Sequence, residues 1–187
     1  YCTAASNTVD RYVVYNYMEN IWYYGSMART AWLDSGLRSY PLAATYSYNL
    51  VNHEYGTDDV VTATPAAIYS SITSAQFDLD DGHQFSFIWR VLPDVTFSGS
   101  TAQSPAITLT LLPLRNSGSG YNSPLSVGGD ADATITRSAV IPVEEFTGQI
   151  YTRLRGRQMS MQVESTALGV AWQLGAPRLD IRPDGRR

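Results

Sequence analysis

Lysine is missing from this 187-residue chain, so all 13 cationic side chains are arginine. Cysteine occurs once, at Cys2, which excludes an internal disulfide and any cysteine-rich metal cluster. No apolar run approaches the roughly 20 residues that a membrane-crossing helix needs, and no charged-then-apolar leader opens the sequence. Charged residues make up only 16% of the chain against 44% hydrophobic, too little charge for a solvated disordered polymer. The chain is therefore expected to fold, as one ordinary domain or two small ones. It starts at Tyr1 without an initiating methionine, and is expected to be a processed product or the C-terminal part of a longer polypeptide.

The charge that is present is uneven. Residues 1–150 carry fourteen carboxylates against six arginines, a net −8, whereas residues 151–187 carry three against seven, a net +4. A sequence pI near 5.0 argues against non-specific coating of the whole surface by nucleic acid, but the basic C-terminal segment keeps a local contact open.

Strand signals run from end to end. Residues 12–17 and 21–25 are β-branched and aromatic, and the intervening Met18, Glu19 and Asn20 predict a hairpin, with Asn20 suited to a left-handed corner. Short strands are expected at 30–33, after Pro41 and at 50–55. Beyond residue 62 the texture changes to longer alternating runs, at 68–79, 84–97, 107–114, 133–140, 150–154, 158–164 and 169–173. In the third of these, Ile107, Leu109 and Leu111 fall on one face and Thr108 and Thr110 on the other. Residues 116–132, rich in glycine, serine and asparagine, read as an exposed loop, and one helical turn is expected near 143–147. The predicted architecture is all-β: a propeller-blade-like hairpin segment over residues 1–62, followed by an antiparallel β-sandwich-like domain over 63–187.

Catalytic chemistry has little to stand on. His53 and His83 lie in no nucleophile motif and read as ordinary strand histidines, and no Gly-x-Ser-x-Gly elbow is present. Asp58, Asp59, Asp78, Asp80 and Asp81 could supply a glycosidase carboxylate pair. Asp80, Asp81 and Gly82 read more simply as a turn, since the alternating ligands and closing glutamate of a calcium loop are absent. No catalytic residue, cofactor or metal is expected. The early aromatics Tyr12, Tyr15, Tyr17, Trp22, Tyr23, Tyr24 and Trp32 could stack on sugars or single-stranded nucleic acid, but are expected mainly to fill a sheet face. The arginines Arg153, Arg155, Arg157, Arg178, Arg182, Arg186 and Arg187 form the most specific feature. Guanidinium forks pair bidentately with carboxylates, so these residues are candidates for a subunit interface, for phosphate contact, or for internal pairing with the acidic first 150 residues. The first three share a strand face if that strand is regular, and Asp180 shares another with Arg182.

Two stretches carry a resemblance: RYVVYNYMENIWYYGSMARTAWLDSG at 11–36 and RLRGRQMSMQVESTALGVAWQLGAPRLDIRPDGRR at 153–187. With SAQFDLDDGHQFSFIWRVLPD at 74–94 and the run at 107–114, they resemble the tail nozzle or tail hub proteins of short-tailed bacteriophages, the tail tubular protein B-like chains of podoviruses. The resemblance implies a structural virion protein of the phage tail, assembled in the host cytoplasm as a homo-hexameric ring. That ring would contain a β-propeller and carry the genome-ejection channel. Expected partners are the adaptor or portal-proximal ring and tail fibres or a plug, with viral DNA passing through without specific binding. The alternative is a tail-associated receptor- or glycan-binding β module.

Overall fold

The computed structural model describes residues 1–114 and 138–185. Every regular element among them is a β-strand, so the chain is all-β, as the β-branched and aromatic runs predict. The residues group into two compact units, one formed by 1–56 with 60–63, the other by 57–59 and the described residues from 64 onward.

The first unit opens with a hairpin, β1 (Arg11–Asn16) against β2 (Ile21–Ser26), followed by a three-stranded sheet of β3 (Ala31–Leu33), β4 (Leu42–Ala44) and β5 (Leu50–Asn52) with β4 central. Asn20 takes φ +57° at the hairpin corner, where its Oδ1 accepts a 2.8 Å hydrogen bond from the Tyr15 hydroxyl. Only Pro41, Ala43 and Thr45 are buried in this unit. Alternation places Val13, Tyr15, Trp22 and Tyr24 on one face of the hairpin and Tyr12, Val14, Ile21 and Tyr23 on the other, so both faces are apolar. Trp22 is 66% exposed and Tyr24 82%. Among the described residues nothing buries Tyr15, Tyr17, Trp22, Tyr23, Tyr24 or Trp32, and only Tyr12 is half-buried, so the expectation that these rings fill a sheet face is not met there.

The second unit contains β6 (Asp58–Asp59), β7 (Ala66–Ala67), β8 (Ser70–Thr73), β9 (Phe77–Asp78), β10 (Ser86–Leu92), β11 (Val95–Thr96) and β12 (Ala106–Leu114). It continues with β13 (Ala139–Glu144), β14 (Ile150–Gly156), β15 (Gln158–Ser165), β16 (Gln173–Leu174) and β17 (Arg178–Pro183). Two antiparallel sheets, ordered β13-β12-β15-β8 and β14-β10-β17, contribute to one core. Ile88, Val91, Ile150 and Leu154 come from the smaller sheet; Ile107, Leu109, Leu111, Val143, Met159 and Val163 come from the larger. The chain passes from β14 to β15 through a tight corner. A Cβ on Gly156 would lie 2.9 Å from Pro113 Cβ and 3.1 Å from Leu114 O, so a glycine is required there.

Several local expectations need correction. The run 68–79 is two strands rather than one, because the register against β15 gains one residue between Thr73 and Asp78. Ser74 sits in that bulge, where its Oγ accepts from Met161 N at 3.0 Å and its carbonyl from Ser160 Oγ at 3.0 Å. The helical turn near 143–147 is a single reversal closed by Thr147 N to Glu144 O at 3.0 Å. Of 169–173 only Gln173 is in a strand, and β17 extends the C-terminal segment as a strand that sequence reading passed over. The proposed loop at 116–132 lies outside the described residues.

Candidate functional site

The arginine-rich segment becomes a surface through strand order. In β14, Ile150, Thr152 and Leu154 are buried, so alternation turns Tyr151, Arg153 and Arg155 to the outside. The Thr152 hydroxyl fixes the inward side by donating to Ile88 O at 3.0 Å. β14 and β17 do not pair with each other; both flank β10. In register, Phe87 lies between Arg155 and Arg182, and Arg90 lies between Tyr151 and Asp180. The register breaks between Ile88 and Arg90 on both sides, which leaves Trp89 at an irregularity.

The solvent face of this sheet therefore interleaves Arg90, Arg153, Arg155, Arg178 and Arg182 with Phe87, Trp89 and Tyr151. The guanidinium carbons of Arg90 and Arg182 lie 4.7 and 5.0 Å from the centre of the Trp89 ring, and Tyr151 lies against the same ring at 6.3 Å. Each such cation–ring contact is worth about 0.5–1 kcal/mol at an exposed site and holds the fork in place. Arg90 pairs with Asp180, both side chains about 30% exposed. Arg155 pairs with Asp184 and also donates to Asp184 O at 3.1 Å. Arg153, Arg178 and Arg182 have no carboxylate partner among the described residues.

Of the sequence-predicted interface residues, the structure brings Arg153, Arg155, Arg178 and Arg182 onto one face. Arg157 lies beyond the end of β14, at the corner into β15, so it does not continue the row as a regular strand would place it. It shares the Phe85 ring with Arg155, their guanidinium carbons 4.8 and 4.3 Å from its centre. Arg186 and Arg187 lie outside the described residues. Sequence reading missed Arg90 and the three aromatics of this face. The Phe-Ile-Trp-Arg run, with Ile88 flanked by two rings, was the available signal.

The other candidates are dispersed. Arg29 Nε donates to His53 Nε2 at 2.8 Å, with Trp32 4.6 Å from the His53 ring, so that nitrogen is an acceptor occupied by a cation. Asp58 Oδ1 accepts from Gly169 N at 2.7 Å, a structural use. Asp78, Asp81, Gly82, His83 and Arg157 line a shallow recess at the turn before β10. Within it Asp78 accepts from Gln158 at 2.8 Å and Asp81 from His83 N at 2.9 Å. Among the described residues no group of three or more histidine, cysteine or acidic side chains is placed to hold a metal ion. No helix among them is long and apolar enough to cross a membrane. No protein-family model matches the chain, and no curated protein matches it significantly.

Proposed function

We propose that this chain is a non-enzymatic structural subunit of a short-tailed bacteriophage tail, part of the ring-shaped nozzle or hub through which the genome leaves. The observation that carries the reading is the aromatic hairpin β1–β2. Its faces are apolar on both sides, and its unit buries only three residues. A lone two-stranded hairpin is marginal in water, and a sheet with two apolar faces is stable only between two covering layers. A blade stacked between neighbouring blades meets that requirement, as does a subunit within a ring. The resemblance of residues 11–36 and 153–187 to nozzle proteins supplies the propeller, the hexamer and the tail location.

Immunogold electron microscopy tests the reading on purified virions of the phage that encodes the chain, with antibodies raised against it. Label confined to the distal tail is expected. Intact, antibody-accessible virions without tail label overturn it.

The same exposed rings favour one second reading, a glycan-binding module of the tail. Tyr15 and Trp22 stack at 4.4 Å on one face of the hairpin, and the Tyr15 hydroxyl donates to Asn20 Oδ1 at 2.8 Å beside them. A glycan array separates the two. Binding lost on Trp22→Ala supports the module, and an array without signal removes it.

A further inference from the structure

We infer that the arginine face of the β14-β10-β17 sheet receives the acidic turn at residues 78–81 of a second copy of this chain. The inference rests on the assembly-subunit reading and assigns it a contact.

Charge in the second unit is sorted by place. All six of its described arginines lie on this sheet or at its Gly156 corner. Of its eleven described carboxylates only Asp180 and Asp184 accompany the five arginines of the sheet, while Asp78 and Asp81 border Arg157 at the corner. Those two are already engaged by Arg90 and Arg155, and Arg157 stands apart in the corner recess beside Asp78 and Asp81, so the outward positive charge of the sheet face itself resides in Arg153, Arg178 and Arg182. Arg182 is held on Trp89, its fork oriented before any partner arrives. The complementary element is the turn from β9 into β10. Asp78, Asp80 and Asp81 put three exposed carboxylates into four residues, with Asp80 at φ +62° and without a hydrogen bond among the described residues. Guanidinium–carboxylate pairs can be bidentate, and the match is three to three.

The shape of the face favours a protein turn over a nucleic acid. Its three strands place the outer two only about 10 Å apart, and the rest of the unit is acidic, so a long polyanion gains few contacts and meets repulsion beyond them. A turn of four residues fits within that width. Because donor and acceptor are different surfaces of one molecule, the contact is heterologous and propagates into a ring or a filament.

Sedimentation of the full chain tests the contact. The wild type is expected to self-associate, with an association constant falling at least about tenfold between about 50 and about 500 mM salt. The variant R153E/R178E/R182E and the variant D80N/D81N, in which asparagine keeps the left-handed corner, are each expected to be monomeric. Their equimolar mixture retains one intact arginine face and one intact acidic turn, and is expected to form 1:1 dimers that grow no further. This complementation cannot come from misfolded chains. A monomeric wild type, or association that persists in both variants, overturns the contact; so does an oligonucleotide that binds the wild type and is released by the arginine substitutions while no self-association occurs. Tail label in virions together with a failed complementation removes this contact and leaves the tail reading intact.

Discussion

Replacing Leu111 by alanine tests whether the two sheets of the second unit share the core described. Leu111 has no exposed surface, sits on the central strand β12, and lies in register between Ala139 and Met161. The substitution removes three carbons, about 2.4 kcal/mol of transfer free energy at about 0.8 kcal/mol each. The close-packed walls cannot fully refill the cavity, so the total is expected near 3 kcal/mol, within the range of about 2–5 found for such changes. With a urea dependence of about 2 kcal/mol per molar, the unfolding midpoint drops by about 1.5 M. Far-UV circular dichroism and the fluorescence of Trp89 and Trp172 follow the transition. Leu111→Met keeps the volume and is expected to cost less than about 1.5 kcal/mol. Tyr24→Ala, at a residue 82% exposed, is expected to stay within about 0.5 kcal/mol in dilute solution. A Leu111→Ala loss below about 1 kcal/mol, or an equal loss for Tyr24→Ala, refutes the assignment of the core to the second unit.

Gly169 takes φ +70°, and a Cβ there would lie 2.6 Å from Thr101 Oγ1 and 2.9 Å from Ala102 N, so Gly169→Ala is expected to cost about 1–3 kcal/mol by thermal denaturation. Its carbonyl also accepts from Thr101 N at 2.8 Å and Ala102 N at 3.0 Å, and a loss under about 0.5 kcal/mol counts against that clamp. Thr152→Val removes the buried hydroxyl bond to Ile88 O and is expected to destabilise by about 1 kcal/mol in urea melts; a neutral result means the bond does not hold β14 to β10. In double-mutant cycles the half-buried pair Arg90–Asp180 is expected to couple by about 1 kcal/mol and the more exposed Arg155–Asp184 by about 0.5 kcal/mol or less, so a reversed order refutes the burial argument.

Much of the fold is written in short-range pattern. The alternation of Ile107, Leu109 and Leu111 with Thr108 and Thr110 is visible in the sequence, and the three leucine and isoleucine side chains are buried. Asn20 marks its own corner because few other residues tolerate positive φ. What escaped was set by partners distant in sequence. The break between β8 and β9 exists because Ser74 bonds to β15, more than eighty residues away. The strand β17 has weak propensity in Arg178, Asp180 and Pro183; it is a strand because β10 offers it a free edge.

The arginine face was half legible for the same reason. Two-residue spacing revealed Arg153 with Arg155 and Asp180 with Arg182, but only the order β14-β10-β17 makes them neighbours, and only that order inserts Phe87, Trp89 and Arg90 between them. The pairing pattern then divides the arginines by role. Arg90 and Arg155 meet acids of the C-terminal segment itself, Asp180 and Asp184, rather than the acidic first 150 residues. They brace the sheet locally and leave the charge of Arg153, Arg178 and Arg182 outward. The aromatic hairpin of the first unit carries the complementary lesson. Its composition fits a buried sheet, and the described residues leave Val13, Tyr15, Trp22 and Tyr24 exposed on one face and Ile21 and Tyr23 about half exposed on the other. A composition and an environment in such conflict are reconciled when the missing layers are other polypeptide, and that is the physical content of the assembly reading.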